Sequence, residues 1–310
     1  MLISLVNGFG EEEQLMASNE LQTLINILRS QPKLSELGIE EQRAQMELGF
    51  TQFKVPPDVH CEPVDAGGVP AEWVTTPNVL PERVVYYLHG GGYVIGSINT
   101  HREMISRLSR AASARVLIID YRLAPENPFP AALDDSVAAY RWLLSVGVDP
   151  ARLVIAGESA GGGLTLATLV ALRDAGEPLP RAGICISPWV DLEGLGESIV
   201  TEAETDLLVD RDIGLIWAKA YLGSLDPRTP LASPLYADLT GLPPLLVQIG
   251  TAELLFDDAR RLADHARAAG VGVTLEPWDD MIHMWHFFAA MLPEGQQAID
   301  RIGEFVREHT

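Results

Sequence analysis

Gly157-Glu158-Ser159-Ala160-Gly161 follows directly on the apolar run Leu153-Val154-Ile155-Ala156 and precedes a helix-like stretch over 163–171. A short β-type run, a serine among small residues and then a helix form the context in which a G-x-S-x-G serine is held out as a nucleophile. The neighbours must be small because the turn is sharp and presses strand against helix. Five common residues are a weak pattern alone. The rest of the chain has to supply a base, an acid and an oxyanion site.

Outward from the elbow, short apolar runs alternate with helical patterns. The runs predict strands over 71–75, 83–88, 115–120, 153–156, 183–187, 245–249 and 273–277, with helices over 102–112, 131–146, 163–175, 257–269 and 295–308. Such alternation implies parallel pairing and a doubly wound α/β sheet. Ligand sites in these sheets lie beyond the carboxyl ends of the strands. Residues 1 to about 60 read differently. Leu15, Leu21, Leu24, Ile25 and Leu28 recur at helical spacing, 39–53 reads as a second amphipathic helix, and Pro56-Pro57 ends the region. This is an N-terminal helical cap segment, with 61–310 as the catalytic domain. Between about 190 and 240 no strand is predicted. Helical pieces at 201–206 and 211–221 make that stretch a cap insertion and a candidate lid.

The chain has 310 residues, 47% hydrophobic and 21% charged, the balance of a globular domain with a sizeable core. Its net charge of −21, from 43 acidic and 22 basic residues, opposes phosphate backbones and anionic membranes, so nucleic acid is not an expected partner. Cys61 and Cys185 form neither a disulfide framework nor a C-x-x-C pair. Residues 1–6 lack the positive flank and the length of an export signal, and no run of about 18 apolar residues suggests a membrane span. The expected location is cytoplasmic.

His89-Gly90-Gly91-Gly92-Tyr93 stands at the end of the 83–88 strand. Successive glycines let backbone N–H groups face a ligand, and two donors aimed at one point stabilise a developing oxyanion. No lysine follows as in a phosphate loop, and no G-x-G-x-x-G pattern fits. A serine needs a base that titrates near neutrality, which is histidine. His283 follows the last strand candidate and falls at the carboxyl-end rim; His286, one helical turn on, is the alternative. A metal pair of the two lacks the H-E-x-x-H signature, and no metal is expected. The third member must be a carboxylate lying between serine and histidine in the chain. Glu253 comes soonest after the 245–249 strand. Asp257 and Asp258 fall at a helix start, where carboxylates suit the dipole. Glu253 leads and Asp257 is its rival.

With these motifs in order, the chain resembles the hormone-sensitive-lipase-like (HGGG) branch of the α/β-hydrolases, bacterial carboxylesterases with an N-terminal cap. The resemblance rests on His89-Gly90-Gly91-Gly92-Tyr93, on the stretch from Asp120-Tyr121-Arg122-Leu123 to Ala124-Pro125-Glu126, and on Gly157-Glu158-Ser159-Ala160-Gly161-Gly162. It extends to Ser187-Pro188-Trp189, Leu242-Pro243-Pro244 and Met281-Ile282-His283. It implies an α/β-hydrolase fold, Ser159 as nucleophile, His283 as base, and the N–H groups of Gly90, Gly91 and Ala160 as the oxyanion hole. It also implies Tyr93, Trp189, Leu254 and Ile282 as pocket walls, a small-molecule ester of short acyl chain as substrate, no cofactor, and a homodimer through an edge strand. Two departures stand out. Glutamate occupies the acid position in Gly250-Thr251-Ala252-Glu253-Leu254-Leu255-Phe256-Asp257, and Glu158 replaces the usual aspartate of the elbow, as a support for the site. The same triad suits an amide, lactone or carbamate. A non-catalytic binding module would normally have lost the serine or the histidine.

Overall fold

The computed structural model describes residues 18–310. Leu15 and the stretch 1–6 lie outside the described residues. The strands are β1 (His60–Asp65), β2 (Pro70–Thr75), β3 (Leu80–Leu88), β4 (Ala114–Ile119), β5 (Leu153–Glu158), β6 (Ala182–Ile186), β7 (Leu245–Gly250) and β8 (Val273–Trp278). All seven expected strands are present, and β1 is the addition. Val64 is its one aliphatic side chain and none of its residues is fully buried, so no apolar run marks it. It exists because its backbone pairs antiparallel with β2.

The strands form one sheet in the order β1-β2-β4-β3-β5-β6-β7-β8. β2 pairs antiparallel with both β1 and β4, and every other neighbouring pair is parallel. The sheet is mostly parallel, as expected. β5 therefore runs near its middle, between β3 and β6.

The helices are α1 (Asn19–Arg29), α2 (Ile39–Phe50), α3 (Ile98–Ala112), α4 (Ala131–Ser145), α5 (Ala160–Asp174), α6 (Ser198–Thr201), α7 (Arg211–Leu222), α8 (Phe256–Ala268) and α9 (Pro293–His309). Strand side chains alternate between two core layers. Val84, Tyr86 and Leu88 pack with α4, α5 and α8 on one face. Val85 and Tyr87 pack with α3 and α9 on the other, where Leu21 and Leu24 of α1 also dock.

Several boundaries differ from expectation, among them the start of β3 at Leu80, not 83, the start of α3 at Ile98, not 102, and the end of α2 at Phe50, not 53. α5 begins at Ala160, not at 163, because the turn itself starts the helix. Gly161, Gly162 and Gly163 are poor helix formers that lowered its signal. The insertion's first helix is α6, not 201–206. There the N–H groups of Thr205 and Asp206 both turn back onto the Glu202 carbonyl. The Asp206 side chain then takes the Leu208 and Val209 N–H groups, which ends the turn.

Candidate active site

Ser159 sits between β5 and α5 with φ 53° and ψ −121°, a conformation L residues adopt at a cost of about 1–3 kcal/mol. Surrounding bonds hold it there. Its N–H donates to the Ile186 carbonyl at 2.9 Å, and its own carbonyl accepts from Trp189 N at 2.9 Å and Gly163 N at 3.1 Å. A Cβ on Gly161 would strike the Leu88 and His89 carbonyls, and one on Gly157 would strike the Gly161 carbonyl. Glycine at both positions lets strand and helix close around the serine.

Beyond the sheet rim three side chains form one line of bonds. Ser159 Oγ lies 3.0 Å from His283 Nε2, and His283 Nδ1 lies 2.8 Å from Glu253 Oε2. A carboxylate only accepts, so the ring proton belongs on Nδ1 and Nε2 is free to accept from the serine. The other oxygen, Glu253 Oε1, accepts from Ser187 Oγ at 2.8 Å and Gly250 N at 2.7 Å. Glu253 and His283 are buried, and Ser159, 5% exposed, borders a cavity. Burial works against a charged His283, but the Glu253 hydrogen bond and charge, with Asp206 and Glu158, outweigh it and raise the ring pKa above 6.5.

The rival residues have other partners. His286 Nε2 donates to Gln248 Oε1 at 2.9 Å, and burial together with the His283 charge pushes its pKa down to about 3. Asp257 accepts from Ser198 N at 3.0 Å. Asp258 takes the N–H groups of Val190 and Asp191. None of the three reaches the serine–histidine pair. Among the described residues no group of His, Cys, Asp and Glu is arranged to hold a metal ion.

The glycine loop departs from the expected pattern at its first position. The Gly90 N–H donates to Glu158 Oε1 and so is not free for an oxyanion. The N–H groups of Gly91 and Gly92 find no acceptor among the described residues. These residues have φ of 100° and 61°, where glycine is favoured. Ala160 is the first residue of α5, and a helix leaves that N–H without an internal partner. Glu158 is fully engaged: it also accepts from His101 Nε2 at 2.7 Å and from Tyr87 Oη at 2.5 Å. The elbow glutamate thus ties the Ser159 turn to the glycine loop.

A cavity of about 80 Å³ opens beside Ser159. Trp189 and Leu254 line it, and Ile199, Val209, Leu215 and Trp217 from the insertion complete its apolar wall. Tyr93 and Ile282 do not line it. Tyr93 is stacked on Tyr221 with centroids 3.8 Å apart, and Ile282 belongs to the core layer shared with α3 and α9. Three supporting side chains escaped the sequence reading. Ser187 had a signal, at the end of β6 within Ser-Pro-Trp. Asp206 and Gln42 had none, since local sequence does not mark a polar residue as buried. Gln42 of α2 accepts from Trp217 Nε1 at 2.9 Å, joining the N-terminal helices to the insertion.

A family model described as alpha/beta hydrolase fold matches residues 85–287. The chain is 46% identical over 298 residues to an acetyl-hydrolase of Streptomyces hygroscopicus, covering 95% of this chain and 98% of that protein. A crystal structure of an esterase from the bacterial hormone-sensitive lipase family matches with a TM-score of 0.91 at 53% identity, over 94% of this chain and 99% of that one. A crystal structure of EstE5 soaked with p-nitrophenyl butyrate matches with a TM-score of 0.91 at 50% identity, over the same 94% and 99%.

Proposed function

The chain belongs to the α/β-hydrolase family, in its bacterial hormone-sensitive-lipase-like branch, and from that premise we propose that it is a serine carboxylester hydrolase working through an acyl-enzyme on short-chain esters. The observation that carries the reading is the unbroken line Ser159–His283–Glu253 ending at a small apolar cavity. His283 takes the Ser159 proton as Oγ attacks the ester carbonyl. The oxyanion is held by the N–H groups of Gly91, Gly92 and Ala160, one residue along the loop from the Gly90 and Gly91 pairing first expected, because Glu158 occupies Gly90. His283 then protonates the departing alcohol, and water activated by the same ring releases the acid and restores the serine. Glu253 holds the imidazole and balances its positive form. These steps use the chain's own groups and call for no cofactor.

The cavity supports the short-chain reading, since drug-sized ligands need sites of about 300–1,000 Å³. The N-terminal helices and the insertion act together as the cap, joined at Gln42 and Trp217. Free cysteines at 61 and 185 suit a cytoplasmic location, and no described helix is long and apolar enough to cross a membrane. A second copy pairing through an edge strand, β1 or β8, is the dimer this reading carries. Turnover of p-nitrophenyl esters of increasing chain length, with Ser159→Ala as control, tests the proposal. The expected result is fastest turnover for acetyl to butyryl esters and a loss of about 10⁴-fold or more in the variant. Undiminished turnover by Ser159→Ala would remove it.

A further inference from the structure

Leu254 directly follows the acid, and the insertion engages both of its backbone polar groups. Its N–H donates to Asp206 Oδ2 at 3.0 Å, and its carbonyl accepts from Ser198 Oγ at 2.5 Å. The grip continues one turn on. Ser198 Oγ also accepts from Asp257 N at 3.1 Å, while Ser198 N donates to Asp257 Oδ2 at 3.0 Å. Ser198 and Asp206 are both buried. On its other side the acid loop is tied to the histidine loop, where Ala252 N donates to the Met281 carbonyl at 3.1 Å. The Glu253 loop is thus held between the segment that carries His283 and the segment that roofs the cavity.

We infer that Asp206 and Ser198 are positioning residues for the catalytic acid, clasping Leu254 so that Glu253 keeps its bond to His283. The inference rests on the reading of Ser159, His283 and Glu253 as a triad. Two features separate it from mere packing. The clasp is contiguous with the substrate wall, for Ile199 follows Ser198, and the Val209 N–H donates to Asp206 Oδ1 at 3.1 Å. Ile199, Val209 and Leu254 all line the cavity. Filling it presses on the same backbone that carries the acid. The clasp also brings charge. His283 is faced by Glu253 from the acid loop, Asp206 from the insertion, Glu158 from the elbow and His286 from its own segment. Burial, offset in part by His283 and reinforced by Glu253, pushes the Asp206 carboxyl up to about 6. At neutral pH it is mainly ionised and favours the charged form of His283.

The test compares Ser198→Ala, Asp206→Asn, Asp206→Ala and Glu253→Ala in the full chain, using p-nitrophenyl acetate across about pH 5–9 with a thermal melt of each variant. Ser198→Ala is expected to lower kcat about fivefold with KM changed by no more than about twofold. Asp206→Asn is expected to lower kcat about tenfold and to move the acid limb of kcat/KM down by about half a pH unit, because a charge favouring protonated His283 is lost. If Asp206→Ala does not fold, the other two clasp variants still decide. Wild-type kcat and acid limb in Ser198→Ala and Asp206→Asn, with or without a lower melting temperature, would overturn the inference while an inactive Glu253→Ala leaves the triad standing. Wild-type activity in Glu253→Ala would instead overturn the triad reading.

Discussion

The Gly90 amide donates to the Glu158 carboxylate, so the residue preceding Ser159 holds the loop that follows His89. Glu158→Ala strips the buried Gly90 N–H, Tyr87 hydroxyl and His101 Nε2 of their shared partner. The variant is expected to lose about 3 kcal/mol of stability and about tenfold in kcat as the loop shifts. Thermal denaturation and ester turnover check this. A wild-type melting temperature would contradict it.

Glu253 accepts from Gly250, Ser187 and His283 at once, and a shorter aspartate cannot keep all three bonds. Kinetic comparison is expected to rank Glu253→Ala lowest, about 10⁴-fold down in kcat, Glu253→Asp in between, and Asp257→Ala within about tenfold of wild type. If Asp257→Ala were the more damaged protein, the acid assignment would be wrong.

In the proposed mechanism His283 works as base only as a neutral ring, so activity is expected to fall as pH drops through its pKa. Glu253, Asp206 and Glu158 outweigh burial and raise that value above 6.5, which places the acid limb of kcat/KM above 6.5. His286, held down near 3, stays neutral over the working range and adds no limb. His286→Leu is expected to cost about 1–2 kcal/mol through the lost Gln248 bond, with the pH profile unchanged. A displaced limb in that variant would implicate the wrong histidine.

Burial, then the Asp191 charge, pushes the Asp258 carboxyl from 3.8 up to about 7. A raised folded-state pKa gives a contribution to stability that is present below 3.8 and is lost as pH rises through about 7. Asp258→Asn keeps an acceptor for the Val190 and Asp191 amides but cannot ionise. From about pH 5 to about pH 8 the wild-type melting temperature is expected to fall relative to that of the variant. Parallel curves would contradict the buried, protonatable state.

The fold and the bonded line Ser159–His283–Glu253 were legible because their signals are local. Strand, elbow and helix read consecutively around Ser159, and Glu253 and His283 follow their strands within a few residues. What the sequence concealed joins distant positions. The Gly90–Glu158 bond spans 68 residues, so the glycine loop looked free at its first member. The bond between Leu254 and Asp206 spans 48 residues, and nothing beside Asp206 shows that it is buried. β1 lacked an apolar face, and Tyr93 and Ile282 were read as walls when core packing claimed them.

Intact-protein mass measurement after rapid quenching with p-nitrophenyl acetate tests the proposed covalent attack by Ser159. The expected result is one acetyl group on the wild-type chain, located on Ser159 by peptide mapping, and none on Ser159→Ala. Turnover with an acetyl group on another residue, or an equal adduct on the variant, would contradict it.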